Sequence, residues 1–456
     1  MSTFVKEKPL SKRIQSIEDL YGYFAQFSKS EADEMIGIEC ELFGVDNDTG
    51  RALPYSGPKG IEQVLKELAY EFGYDEIREQ DHVIALQKGD TLISLEPGGQ
   101  VELSAEPVRN IHEAKAQLDQ FFFELRTIGK FMDGIAFLAC GIQPFSSLRQ
   151  IEWVPKKRYE IMARYLIKKG KHAHDMMKRT ATNQINLDYR NEEDAIEKMR
   201  LALQMTPFAA VMFANSGFSL GKPNGYVSER LSIWRYTDPD RCGLILDLVR
   251  GNSTFRDYLN YVLDIPMMFI VRHQKWIVTR GLTFRRFIEK GFQGIEPTLE
   301  DFELHLSAIF PDARFKQYLE IRGMDGQRSH LIPAVYAFWK GVLYDEKARR
   351  DTKHLLSFLK DADLFKVHRE VERSGLEAKV HGKLVLDLAR ELVQISEEGL
   401  ERERQFNQLQ EDERIYFAPL EEEILKTGKT PAEQLVELWK KSFRCNPQAL
   451  IEYLKI

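Results

Sequence analysis

Cysteine is scarce in this sequence: Cys40, Cys140, Cys242 and Cys445 are the four in 456 residues. None stand at CxxC spacing, which excludes a zinc ribbon and a thioredoxin-type redox pair. So thin a scatter also excludes a disulfide scaffold. No apolar run is long enough to cross a membrane, and there is no internal repeat or low-complexity linker. A basic excess is missing: the formal net charge is −6, from 64 Lys and Arg against 70 Asp and Glu. That balance argues against nucleic acid as a partner. Residues Met1 to Lys8 carry no apolar signal core and no long acid-poor leader, from which a cytoplasmic location is expected. There is no GxxxxGK[ST] phosphate loop, and Gly221-Lys222-Pro223-Asn224-Gly225 reads as a turn.

What is present is a set of segments that alternate polar and apolar residues. Ile36 to Phe43 puts Glu39 and Glu41 on one face and Ile38, Cys40 and Leu42 on the other. Thr91 to Ser104 repeats the pattern with Gln100, Glu102 and Ser104, and carries Glu96 before two glycines. Gln184, Asn186 and Asp188 form a third such set, and Glu320 with Arg322 a fourth. Polar side chains on central strands are costly unless they bind something. Hard oxygen donors suit a divalent metal, and metal beside arginine suits a nucleotide phosphate. For any one segment, a strand with one face open to water explains the pattern better. For the whole set it does not, because Ser94-Leu95-Glu96-Pro97-Gly98-Gly99 is an odd surface strand.

Around these strands, helical spacing predicts helices over residues 10–30, 59–72, 109–132 and 192–214, and near Arg158. Further strands are expected over 82–86, 91–104, 135–142 and 182–189. Arg230, Arg235 and Arg241 follow the glycine-rich turn at 221–226, and each is a candidate for phosphate or carboxylate. His172-Ala173-His174-Asp175 sits in a basic run and reads as a solvated loop rather than a metal cluster. From about residue 342 the chain is charged and helical. Strands and helices fall in blocks, which predicts an α+β fold rather than a Rossmann alternation.

At these residues the chain resembles the plant-type glutamate–cysteine ligases of plants and many bacteria. Gly37-Ile38-Glu39-Cys40-Glu41-Leu42-Phe43-Gly44 is similar to the family's GxExExFG, and ISLEPGGQVELS at Ile93 to Ser104 is nearly its own string. Asp175 to Thr180 leading into Gln184 to Asp188, Phe213 to Ser216, Gly221 to Tyr226, Tyr318 to Gly323, and Lys429 to Glu433 also fit. The resemblance runs from about residue 9 to 455. It implies a fold like those of glutamine synthetase and guanidino kinases: an open antiparallel sheet lines a cavity with its polar face, and helices pack behind. Residues 1–345 are then the catalytic core, and 346–456 a helical region packed on it.

The activity implied is ligation of the γ-carboxylate of L-glutamate to the amine of L-cysteine through a γ-glutamyl phosphate. ATP is the co-substrate, with two or three Mg²⁺ ions. The first step of glutathione biosynthesis is the place this implies. The same resemblance assigns Glu39, Glu41, Glu96, Glu102 and Glu320 to metal, and Gln184 and Asn186 to metal or nucleotide phosphate. Arg322 goes to the transferring phosphoryl group, Arg230 with Trp234 and Arg235 to the glutamate α-carboxylate, and Arg158 with Tyr159 to the acceptor cysteine. A monomer or homodimer is expected. Cys40 and Leu42 replace a histidine and a lysine of plant members, Tyr236 to Asp240 keeps only part of the family pattern, and no cysteine pairs match the plant regulatory disulfides. Rival readings are a ligase of this family with another amine acceptor, a silent nucleotide-binding scaffold, and a guanidino kinase.

Overall fold

The first acidic segment becomes the central strand of one sheet. The computed structural model describes residues 12–249 and 251–456. In chain order the strands are β1 (Ile36–Asp46), β2 (Asp75–Glu79), β3 (His82–Lys88), β4 (Thr91–Leu95), β5 (Val101–Ser104), β6 (Ile135–Leu138), β7 (Asn183–Leu187), β8 (Ala313–Phe315) and β9 (Leu319–Ile321). They form a nine-stranded sheet in the order β8-β9-β7-β1-β5-β4-β3-β2, with β6 on the far half of β1. Every pairing in it is antiparallel.

The register gathers the polar residues. Glu41 lies opposite Glu102, and Glu102 opposite Ser94. Glu39 lies opposite Ser104 on one side and Gln184 on the other, and Asn186 lies opposite Glu320. Directly opposed residues share a face, so five strands contribute to one polar surface. Ile36, Ile38, Cys40 and Leu42 face the other way into the core.

The helices used below are α1 (Ile61–Phe72), α2 (Ile111–Phe131), α3 (Lys157–Leu166), α4 (Ala173–Arg179), α5 (Glu192–Met212), α6 (Glu229–Arg235), α7 (Ile332–Tyr344), α8 (Asp361–Ser374) and α9 (Val385–Glu403). α1, α2 and α7 pack behind the sheet. All thirteen residues of α7 are buried, as befits a helix that is apolar all round. Its Tyr336 hydroxyl donates to the Glu39 carbonyl at 3.0 Å. α9 crosses α7 where Gly341 meets Ser396 and Gly399, so close that a Cβ at either glycine would strike backbone. α2 and α5 are capped by the side chains of Asn110 and Asn191.

Several sequence expectations need correction. Residues 10–30 do not form one helix: the described part holds short 3₁₀ turns at Ile17–Leu20 and Ala25–Phe27, and residues 10 and 11 lie outside the described residues. Thr91 to Ser104 is two strands, because the Glu96 to Gln100 turn splits it. The run His172 to Asp175 opens α4 instead of forming a loop. The helical C-terminal region expected from the sequence is present, with Thr430 capping Pro431–Lys441 and Pro447–Leu454 following.

Candidate active site

The polar face of the sheet is not open to water. Glu39 and Glu102 are each 1% exposed, Gln184 2% and Glu320 0%. A cavity of about 70 Å³ lies against this face. Glu41, Glu96, Glu102, Thr182, Gln184, Arg314 and Arg322 line it from the sheet and its turns, and Met177, Arg158, Arg230 and Trp234 line it from the helices. Acids from β1, β5 and the turn before β5 therefore meet arginines from α3, α6, β8 and the residue after β9.

The carboxylates are held individually. The Ser94 hydroxyl donates to Glu102 at 2.7 Å. Glu41 accepts from the Thr182 amide at 3.0 Å and from the Gln184 amide group at 3.4 Å. Asn186 donates to Glu39 at 3.1 Å. Burial, then the charges of Glu96 and Glu102, push the Glu41 carboxyl well above the ordinary carboxylate range, against the opposing pull of Arg230 and Arg322. A carboxyl pressed by two neighbouring acids belongs to a set whose charge suits a cation.

Glu96 reaches the cavity because its turn presses on α4. Gly98 touches the Lys178 backbone so closely that a Cβ there would collide with it, and Gly99 has φ +84°. On the other side, Tyr159 and Lys156 donate to the Leu95 carbonyl at 2.6 and 2.9 Å, and the Val154 amide to the Pro97 carbonyl at 3.0 Å. Gly98→Ala is therefore expected to cost about 1–3 kcal/mol of stability and to lower turnover by displacing Glu96. Thermal denaturation and steady-state kinetics check this, and unchanged values in both would show that the turn has slack.

The arginines form a linked set. Arg322 Nη1 donates to Gln184 at 2.8 Å and to Glu320 at 2.7 Å. Glu320 also binds Arg314, and Lys316 at 2.7 Å. Burial alone would raise the Glu320 pKa, but Arg314, Lys316 and Arg322 hold it well below the ordinary range. Both Glu320 oxygens thus pair with cationic side chains in this structure. Arg230 donates to the carbonyls of Arg322 and Gly323 at 2.9 and 3.2 Å, so it fixes the segment that carries Arg322. Asp325 fixes Arg230 in turn: it accepts from Ser216 and Ser228 at 2.7 and 3.0 Å, and Ser216 Oγ accepts from the Arg230 amide at 3.1 Å. Trp234 lies 5.5 Å from the Arg230 guanidinium and 5.7 Å from that of Arg322.

Of the residues singled out in the sequence, Glu41, Glu96, Glu102, Gln184, Arg158, Tyr159, Arg230, Trp234 and Arg322 meet in this cavity. Glu39, Asn186 and Glu320 share the sheet face but sit beside it. Arg235 faces an adjoining chamber and pairs with Glu372 at 2.7 Å. Arg241 is no ligand candidate: it is fully buried and pairs with Asp238 at 2.7 Å. Arg314 was missed. Its signal is the alternation Ala313-Arg314-Phe315-Lys316, a strand too short to notice before its neighbours are known.

Among the described residues no three His, Cys, Asp or Glu side chains stand close enough to hold a metal ion alone. The donor chemistry still fits Mg²⁺, which takes one or two carboxylates and completes its shell with water and substrate phosphates. No helix of the described residues is long and apolar enough to cross a membrane.

An open antiparallel sheet with acids facing arginines across one cavity defines an enzyme of the α+β class. A family model described as glutamate–cysteine ligase family 2 matches residues 35–449, and the chain belongs to that family. The chain is 39% identical to glutamate–cysteine ligase B, chloroplastic, of Oryza sativa subsp. japonica, over 95% of this chain and 85% of that one. It is 39% identical to the chloroplastic glutamate–cysteine ligase of Solanum lycopersicum and 36% to that of Arabidopsis thaliana, over 95% of this chain and 81% of each relative. The fold is similar to that of a crystal structure of the Francisella tularensis glutamate–cysteine ligase in complex with AMP, with TM-score 0.57 and 11% identity over 92% of this chain and 89% of that one. The expected cytoplasmic location is corrected here: these plant relatives are named as chloroplastic proteins, so the comparisons do not support it.

Proposed function

We propose that this chain joins the γ-carboxylate of L-glutamate to the amine of L-cysteine at the expense of ATP, giving γ-glutamylcysteine, ADP and phosphate. The observation that carries the reading is the cavity in which Glu41, Glu96 and Glu102 face Arg158, Arg230 and Arg322. Its family membership supports the same reaction.

A carboxylate does not react with an amine at neutral pH, so it is activated first. The glutamate γ-carboxylate oxygen attacks the γ-phosphorus of ATP, the bond to the β-phosphate oxygen breaks, and ADP leaves. The cysteine nitrogen, as free amine, then attacks the acyl carbon, its proton is lost, and phosphate departs with the electron pair of the carbon–oxygen bond. Mg²⁺ bound with the nucleotide would neutralise the triphosphate, with Glu41, Glu96 and Glu102 as its protein donors. Arg322, steadied by Glu320 and Gln184, supplies fixed positive charge at the transferring phosphoryl group. Arg314, fixed by the same Glu320, adds to it. Arg158 is held by the Ser307 carbonyl at 3.0 Å with its Nη1 buried and without a hydrogen-bond partner, and suits the carboxylate of the acceptor. Positioning and charge carry the reaction, and no covalent enzyme intermediate is needed.

The test is ADP release with Mg-ATP and glutamate, with and without cysteine, beside other amines. Strong cysteine dependence with γ-glutamylcysteine as product is expected. Preference for another amine would replace the acceptor, and no ADP release with any amine would refute the ligase reading.

A further inference from the structure

The polar face of the sheet continues past the catalytic cavity. Glu39, Ser104, Asn186 and Glu320 adjoin one another there across β1, β5, β7 and β9, and Gly37, opposite Asn186, puts no side chain beside them. Tyr318 precedes Glu320 by two residues and Arg322 by four, the spacing of one side of a strand. It closes the turn between β8 and β9, where its carbonyl accepts from the Lys316 amide at 2.9 Å. The charges that act on its phenol are those of Glu39, Glu320, Arg314 and Glu102, which places the ring over the acidic face. Three polar atoms on this stretch are buried and have no hydrogen-bond partner among the described residues: Tyr318 Oη, Asn186 Oδ1 and Ser104 Oγ. Buried polar atoms nearly always find a partner, so three together from three segments mark a place shaped for the polar atoms of a ligand.

We propose, resting on the ligase reading above, that Tyr318 is a further substrate-contacting residue: its hydroxyl donates to an oxygen of the diphosphate that leaves as ADP. A phenol at neutral pH is a donor, and the acids nearest it are engaged by other groups. Glu320 pairs with Arg314, Lys316 and Arg322, and Glu39 accepts from Asn186 at 3.1 Å. The acceptor that Tyr318 lacks comes with a ligand, and a phosphate oxygen is a strong one. The order along the strand selects the phosphate. Arg322 stands at the cavity where the γ-phosphoryl is transferred, Glu320 is the next residue on that side, and Tyr318 lies beyond it, away from the cavity. A triphosphate that places its γ-group at Arg322 and runs along this face brings its remaining phosphates toward Tyr318. Ser104 Oγ, opposite Glu39 on β5, is a second donor on the same stretch. A tyrosine hydroxyl kept for stability bonds within the protein, and that of Tyr318 has no such bond among the described residues.

The experiment is calorimetric binding of Mg-ADP, and separately of glutamate, to the full chain and to Tyr318→Phe, with thermal denaturation of both proteins without nucleotide. The ADP Kd is expected to rise roughly tenfold to a hundredfold, the loss of one hydrogen bond to a charged oxygen. The glutamate Kd should stay unchanged, and the melting temperature should stay the same or rise, because only an unpartnered hydroxyl is removed. An unchanged ADP Kd, equal weakening of ADP and glutamate, a lower melting temperature, or failure of the unaltered chain to bind ADP would each overturn the assignment. Weakened ADP binding in a chain without cysteine-dependent ADP release would support the role of Tyr318 and count against the ligase reading alone. Cysteine-dependent turnover with an ADP Kd that Tyr318→Phe leaves unchanged would overturn the role of Tyr318 alone.

Discussion

Glu102→Gln is expected to lower turnover by roughly 10²–10³-fold while the chain stays folded and no less stable. Glu102 faces Glu41 directly across β1 and β5 and is 1% exposed. Its charge helps to keep the Glu41 carboxyl above its ordinary range, so neutralising it removes a repulsion between the two side chains. A side chain kept only for packing behaves in the opposite way: its isosteric replacement leaves catalysis intact. The amide of Gln can still accept from Ser94, whose hydroxyl lies 2.7 Å from Glu102. Steady-state kinetics and thermal denaturation on one preparation decide it. Near-normal turnover removes Glu102 from the cation-binding set, and a lower melting temperature makes it structural.

Arg322→Lys should cut kcat by about a hundredfold with a much smaller change in ATP affinity. One guanidinium nitrogen of Arg322 bridges Gln184 on β7 and Glu320 on β9, and its Nε is buried and without a hydrogen-bond partner. An ammonium keeps the charge but cannot hold both partners and still present a donor to the cavity. ATP binding draws on several groups, whereas the charge that develops on the moving phosphoryl group meets this one arginine most directly. Single-turnover measurement of phosphate transfer separates the two effects. Equal losses in ATP affinity and in transfer would make Arg322 a binding residue only.

The polar face of the sheet was legible in the sequence because strand periodicity is local. Once Glu39 and Glu41 share a face with period two, the choice of face is settled by Ile38, Cys40 and Leu42. The glycines at 98 and 99 marked a special turn for a similar reason, since close backbone approach and positive φ are demands on one residue. The long amphipathic helices were equally plain, but residues 10–30 were not. Apolar residues at near-helical spacing there pack as short turns beneath Phe255 and Phe302, so tertiary contacts override a weak local pattern.

The roles of the charged residues were less legible. Arg241 and Arg322 look alike in a sequence, yet one is spent on Asp238 and the other faces a cavity. Glu320 looks like the other acids, and only its meeting with Arg314, Lys316 and Arg322 makes it an anchor for cations.

The sequence by itself determined the fold class, the polar strand faces and the family, since these rest on periodicity and on strings of adjacent residues. Only the tertiary structure decided which acids share a cavity and which arginines remain available to it. An ion pair or a chamber wall is made by residues up to hundreds of positions apart, and no local pattern records whether a charge has already met its partner.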